Sequence, residues 1–267
     1  MTAIITEKFR AHNANQFFES FTEASGNTYY LMIGKATAFS SGTSGGTDDS
    51  PPTPADDISS EFYTWDSSIA AKKIASSNIT YAIPRRDWAN GTIYDMYEDN
   101  ISSSNATTSG ATNIFDSTFF FRTSDNRVYK VLDNNSGTAY SGAEPTSEST
   151  STFVLGGYTL KYMYAITASE QASYLTTDFM PVSTDSTVSS AAVDGSISSI
   201  IVTNTGSGLT NGTYYAAVYG DGTSAGTSSG AIIKISVASN VISAVSTGNT
   251  GIQQAGAGYT FGTVNLG

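Results

Sequence analysis

The residues of this chain best suited to chemistry stand together at Ile83-Pro84-Arg85-Arg86-Asp87-Trp88, within the stretch "YAIPRRDWANGTIYDMYED" at 81–99. Adjacent guanidinium groups can grip a phosphate, clamp a carboxylate through paired hydrogen bonds, or stack on an aromatic face. Pro84 cannot donate to a β-ladder and is expected to stop a strand. Asp87 can accept from a guanidinium or from a turn amide, and Trp88 offers a ring for an arginine to cover. Arginine and tryptophan are also enriched where subunits dock. These residue types give a buried β-corner or a docking edge, and on these residues alone both remain open.

Other candidate chemistry is thinner. His12 is the one histidine; on an expected N-terminal helix, a lone imidazole reads as filler and not as a general base. The run "GTSGG" at 42–46 has the composition of a loop around a nucleophilic serine, but it lies in a low-complexity segment and would have to borrow that same His12. Carboxylates for sugar hydrolysis could be drawn from Asp48, Asp49, Asp56, Asp57, Asp95, Glu98 and Asp99. Such a hydrolase needs two of them facing each other across the scissile bond; no spacing here arranges that, so they read as solvated loop acids. "DNNSG" at 133–137 alternates Asp, Asn and Gly as some calcium loops do, yet it lacks the downstream bidentate acid and reads as a turn. Among the sixteen tyrosines, Tyr214, Tyr215, Tyr219 and Tyr259 could stack on glycans, although tyrosines on strand faces more commonly build a core or an interface. No catalytic residue, no cofactor and no metal ion is expected.

Composition narrows the partners. A chain of 267 residues can bury one large or two modest cores. Charged residues make up 13% and aromatics 12%, the reverse of a disordered chain. A net charge of −11, with Lys234 the one basic residue after Lys161, excludes nucleic acid, because too few cations are present to displace counterions from phosphate. The absence of cysteine removes disulfide frameworks and thiolate metal sites. "MTAIITEKFRAHN" has no basic segment followed by an apolar one, and no apolar run reaches the ~18 residues of a membrane span, so cytoplasmic synthesis without a signal peptide or membrane contact is expected.

Several elements must position these groups. Phe9, Asn13, Phe17 and Phe21 recur every four residues, giving a helix capped by Thr6 and ended by Gly26. Tyr29, Leu31 and Ile33 then alternate with Tyr30, Met32 and Gly34 as in a strand. Residues 40–57 are loop. Ile58, Phe62, Trp65 and Ile69, behind Asp56 or Asp57, predict a short amphipathic helix. "NITYAIP" is a strand ending at Pro84, and residues 100–113 are loop. Thr118–Arg122 and Arg127–Leu132 form a hairpin about Ser124-Asp125-Asn126. "FVLGGYTLKYMYAIT" is one long strand with Tyr158, Leu160, Tyr162 and Tyr164 sharing a face.

Near residue 185 the composition shifts to uncharged β-branched runs and glycine turns, dividing the chain into residues 1–185 and a Gly/Ser/Thr-rich module over 186–267. Within the module "GSISSIIVTNTGSGLT" (195–210) and "NVISAVSTGNTGIQQAGAGYT" (240–260) form a weak repeat, each read as strand, positive-φ glycine turn and strand. The last strand, "TFGTVNLG", either closes this module or pairs with another chain. The fold class is mainly β, with one or two short helices near the N-terminus and a C-terminal all-β repeat module.

Five blocks then carry a resemblance: "AIITEKFRAHNANQFFES", "NTYYLMIGKATAFSS", "AIPRRDW" at 82–88, "VYKVLD" at 128–133 and "GGYTLKYMYAITASEQASYLTTDFMPV" at 156–182. In this order they resemble the baseplate wedge subunit of T4-like contractile-tailed bacteriophages, over about residues 3–182. Ile83 to Trp88 match the family run residue for residue. The resemblance implies β-sandwich-type domains, a structural role in the virion's tail baseplate without catalysis, a homodimer, and contacts with other wedge subunits. It implies a shared structural role for Ile83, Pro84, Arg85, Arg86, Asp87 and Trp88. The module beyond residue 186 departs from the family and is similar to β-repeats of marine and cyanobacterial phage structural proteins. It is expected to decorate the baseplate or to receive a tail fibre or fibre adaptor; the alternative is a fibre-like protein that contacts host glycans.

Overall fold

The computed structural model describes residues 7–23, 27–34, 47, 49–50, 53, 58, 65, 68–98, 100–202, 204–220, 228–244, 251–259 and 262–264. The chain divides into two compact units, residues 1–80 and 81–267.

In the first unit, helix α1 (Glu7–Glu19) carries the four-residue aromatic spacing, and a following turn brings it to Phe21. Phe17 and Phe21 meet Tyr29 with ring centroids 5.5 and 4.5 Å away. Tyr29 opens strand β1 (Tyr29–Gly34), which pairs antiparallel with β2 (Ser68–Ile74). The helix expected through Ile69 is therefore corrected: Ile58 and Trp65 are helical, but Ile69 lies within β2. Alanine and lysine, weak strand formers, dilute the alternation of "SIAAKKI", and pairing with β1 overrides local preference. Phe62, the proposed caps Thr6, Asp56 and Asp57, Gly26, and most of 40–57 lie outside the described residues.

The second unit centres on a four-stranded antiparallel sheet of β4 (Phe120–Arg122), β5 (Arg127–Asp133), β6 (Phe153–Leu155) and β7 (Tyr158–Ala165), in the order β4-β5-β7-β6. The expected β4–β5 hairpin forms, with Asn126 at φ 64° closing its turn, a conformation that asparagine tolerates. The long strand expected at 153–167 is instead a hairpin: the chain reverses at Gly156-Gly157, with φ 61° and 85°, and Leu155 pairs with Tyr158. Two successive positive φ angles suit a tight hairpin turn of the kind that glycine pairs favour. A Cβ on Gly156 would come within 2.7 Å of the Tyr140 ring.

Two clusters form the core of this unit. Tyr94, Phe121, Tyr129, Val131, Tyr140, Tyr158, Leu160, Tyr162 and Val188 make the first; Phe120, Val128, Tyr164, Ile166 and Met180 make the second. Neighbouring residues such as Phe120 and Phe121 fall in different clusters, as the period of two along a strand requires. The four residues expected on one face of β7 are all buried, but an irregularity opposite them, between Val128 and Tyr129, goes with the assignment of Tyr164 to the second cluster. Strand β3 (Ala82–Pro84) ends at its proline as expected and pairs with β8 (Phe179–Pro181). Two short helices were not anticipated. Helix α2 (Ala168–Tyr174) starts in a reciprocal cap between Thr167 and Glu170, and α3 (Ser186–Ala191) starts on Asp185. The T-x-x-E signature of the first was legible in the sequence.

Beyond α3, strand β11 (Ser229–Ala238) pairs with β9 (Gly212–Ala217), β12 (Val241–Ala244) and β13 (Ile252–Ala257). β10 (Tyr219–Gly220) pairs with β14 (Gly262–Thr263), so the last strand is paired within the chain. The second copy of the weak repeat contains β12 and β13, and Gly256 and Gly258 have positive φ as expected. The described residues of the first copy form no strand; they run beside the second copy, with Ile197 N–H donating to Ala255 O and Ile242 N–H to Thr205 O. Among the described residues, no helix is long and apolar enough to cross a membrane.

Lys130 of β5 lies opposite Lys161 of β7, with its Nζ 3.2 Å from the Tyr97 ring centroid. Burial, then the Lys161 charge, push its ammonium down to about 8. A lysine with a lowered folded pKa costs stability at neutral pH, a cost that fades as pH rises above 8. Lys130→Met should therefore raise unfolding stability at pH 7 by on the order of 1–3 kcal/mol and flatten its rise between about pH 8 and 10, read in urea titrations. Gly156→Ala should lower stability by about 1–3 kcal/mol through strain at positive φ and the displaced Tyr140 ring, seen as a lower urea midpoint.

Candidate protein interface

The run Ile83–Trp88 leaves the β3–β8 ladder and turns along β4. Arg85 N–H donates to Asp178 O at 2.8 Å, continuing the ladder beyond the proline. Arg122 N–H then donates to Arg86 O (2.7 Å) and Trp88 N–H to Arg122 O (2.8 Å), so Asp87 forms a parallel bridge with Arg122. The corner is thus stitched through backbone before any side chain acts.

Asp87 then binds two guanidiniums. Arg85 donates to its Oδ2 from Nη2 at 2.7 Å, and buried Arg122 donates to Oδ1 from Nε at 2.8 Å. Hydrogen bonding from Arg85 first, opposed by burial and joined by Arg122, holds the Asp87 carboxyl below the ordinary carboxylate range. The second Arg85 arm donates to Thr176 O at 2.9 Å. Arg86 takes a different course: its Nη2 donates to Phe115 O and Asp116 O, and its guanidinium lies 5.4 Å from the Phe120 centroid. The expected arginine stack on Trp88 is absent among the described residues; Trp88 meets Tyr140 edge-on at 5.9 Å instead. Ile83 packs against the second core cluster. Two buried donors in the run, Arg86 Nε and Trp88 Nε1, have no hydrogen-bond partner among the described residues.

Beside the half-exposed Asp87, three rings of the neighbouring segments stand in solvent. Phe115, whose carbonyl holds Arg86, is 62% exposed, and Phe179 and Tyr81, at opposite ends of the β3–β8 ladder, are also exposed. The rings were not singled out in the sequence, because nothing in a single chain marks which aromatics stay uncovered.

The other sequence candidates fall apart as sites. Asp95, expected to be a solvated loop acid, is fully buried. It accepts from Ser109 N–H and Oγ (both 2.7 Å), Thr118 N–H (2.8 Å) and Ser117 Oγ (3.1 Å). Burial pushes this carboxyl up, but the hydrogen bonds from Thr118 and Ser109 outweigh it and hold the group low. Four neutral donors fix it as a loop organiser. Glu98 accepts from Asn105 Nδ2 at 3.1 Å, Asp49 is exposed, and Asp48, Asp56, Asp57, Asp99 and the serine of 42–46 lie outside the described residues. His12 is exposed on α1. In "DNNSG" Asp133 Oδ1 accepts from Asn135 N–H, and Asn134 is engaged by Tyr94, Thr108 and Gly137, giving a turn. No group of metal-ligating residues occurs among the described residues. Tyr214, Tyr215 and Tyr219 are exposed, but Tyr259 is buried with its hydroxyl donating to Val218 O, so the four do not form one surface.

Asp87 and Asp95 both have lowered folded pKa values, so the stability they contribute is present above the ordinary carboxylate pKa of about 4 and is lost as pH falls through the folded values. Thermal unfolding should therefore move to lower temperature below about pH 4, and Asp95→Ala, which strands several buried donors, should cost about 2–4 kcal/mol at pH 7.

No curated protein matches the chain. The sequence profile of a family described as "Bacteriophage T4, Gp8" matches residues 3–143, just over half of the 267 and including the run Ile83–Trp88. It ends short of the block at 156–182 through which the resemblance was expected to run. The match makes the protein a structural component of the virion's tail baseplate, one that contacts other baseplate subunits. The chain belongs to the family of the T4 baseplate wedge subunit Gp8.

Proposed function

We propose that this chain acts mechanically and without catalysis, as a homodimeric wedge component. It holds neighbouring baseplate subunits in their pre-contraction geometry and lets them rearrange when the tail contracts. The observation that carries this reading is the family match across the Ile83–Trp88 corner. Exposed rings beside the corner support a role at or near a subunit interface: the arginines and Asp87 brace the backbone, while Phe115 and Phe179 stand in solvent next to it and Tyr81 does so at the far end of the β3–β8 ladder. The engaged Asp95 speaks against the carboxylate hydrolase weighed from the sequence.

Residues 186–267 act in this proposal as an added β-module that decorates the baseplate or receives a tail fibre or fibre adaptor; among the described residues its strands β9–β14 pair with one another. The glycan-binding alternative keeps Tyr214, Tyr215 and Tyr219 as exposed rings but loses Tyr259 to the core.

Light scattering on the purified chain should give the mass of a dimer, and a trimer would favour the fibre-like alternative. Phe115→Asp and Phe179→Asp, both on exposed rings, should leave thermal stability within about 1 kcal/mol yet lower incorporation into baseplates at least tenfold, measured by mass spectrometry of purified virions. Full incorporation of both variants would remove the corner from the interface.

A further inference from the structure

Within the second unit, the main sheet and the added module enclose a cleft of about 470 Å³. One wall comes from β5, through Lys130 and Leu132, and lies inside the family match. The other comes from the module, through Val218, Ile233, Ile235 and Ile242. Segment 196–202 passes along it, and Ser199 Oγ ties that segment to β5 by donating to Leu132 O at 3.4 Å. The volume is that of a small-molecule site, a class that runs from about 300 to 1,000 Å³. Without the module there is one wall and no cleft.

Aliphatic side chains line both walls, and among the described lining residues Lys130 is the one cation and Glu98 the one acid. Glu98 accepts from Asn105 Nδ2 at 3.1 Å and forms no ion pair with Lys130. The Lys130 ammonium rests over the Tyr97 ring, with Nζ 3.2 Å from the centroid. That contact occupies one side of a group with three donors. Among the described residues no acid pairs with it. A carboxylate within reach would hold the ammonium up; burial, and then the Lys161 charge, instead push it down to about 8. Near neutral pH the cleft therefore holds a positive charge without a counter-charge, which is costly until an anion arrives.

We propose that the cleft binds one monocarboxylate with an aliphatic chain, of the medium-chain fatty-acid class. Its carboxylate accepts from Lys130 Nζ, and its chain covers Leu132, Val218, Ile233 and Ile235. The lining sets this class. A phosphate or other multivalent anion would meet a single cation and the Glu98 charge. A short carboxylate would leave the aliphatic walls bare, and an aliphatic amine would set its own cation against Lys130.

The test uses the full chain and titration calorimetry with decanoate, acetate and decylamine, the two amphiphiles kept below the concentration at which they form micelles. Decanoate should bind at one molecule per chain, and acetate and decylamine at least tenfold more weakly. Lys130→Met keeps the length and packing of the side chain without its charge, and should lose at least tenfold in affinity for decanoate while circular dichroism shows the fold intact. Amide exchange should slow on decanoate binding along β11 and β12, which carry Ile233, Ile235 and Ile242. No binding of decanoate, equal binding of decylamine, or unchanged affinity in folded Lys130→Met would each overturn the proposal.

Discussion

A buried tyrosine must find a partner for its hydroxyl, and the second unit is built on that requirement. Its core is poor in leucine and rich in tyrosine, and the hydroxyls reach outward into the connecting segments. Tyr129 donates to Ser147 O, Tyr140 to Ala143 O, Tyr158 to Thr138 O, Tyr164 to Pro181 O and Tyr162 to the Asp185 carboxylate that caps α3. Each ring fills the core while its tip ties down a loop. Burial pushes the hydroxyls of Tyr129, Tyr140 and Tyr162 up to about 12, so they remain donors across the physiological range. Long polar loops that would otherwise be loose are therefore ordered from within.

The arginine corner depends on this arrangement. Trp88 leans on Tyr140, and Tyr140 is held by Ala143 at its hydroxyl and by the close passage of Gly156 over its ring. Asp87 then joins the β3–β8 ladder, through Arg85, to the main sheet, through Arg122. One carboxylate thus couples two separately hydrogen-bonded sheets. Asp95 does the same for loops, drawing 107–110 and 117–118 onto one buried anion.

Much of this was legible in the sequence, and the omissions have physical causes. The β4–β5 hairpin and the end of β3 at Pro84 follow from turn chemistry and a missing donor, both local properties. The reversal at Gly156-Gly157 is equally local; the alternation of Tyr158, Leu160, Tyr162 and Tyr164 masks it by running on as though one strand continued. β2 is different in kind, because Ala and Lys carry little strand preference and only the partner strand decides. The corner's residue types announced hydrogen bonding correctly, but which ring each cation meets depends on Phe120 and Tyr140, which are distant in sequence. The burial of Asp95 could not be read from one chain, since the donors that make it affordable come from 109 and 117–118.

The hydroxyl ties have a consequence for the particle. A bond between a phenol and a peptide carbonyl involves no net charge, so dissolved ions do not screen it as they screen exposed ion pairs. The four ties from Tyr129, Tyr140, Tyr158 and Tyr164 to peptide carbonyls are accordingly indifferent to ionic strength. Those four anchors hold in dilute water and in brine alike, and sensitivity to salt falls instead to the charged contacts, Tyr162 with Asp185 among them.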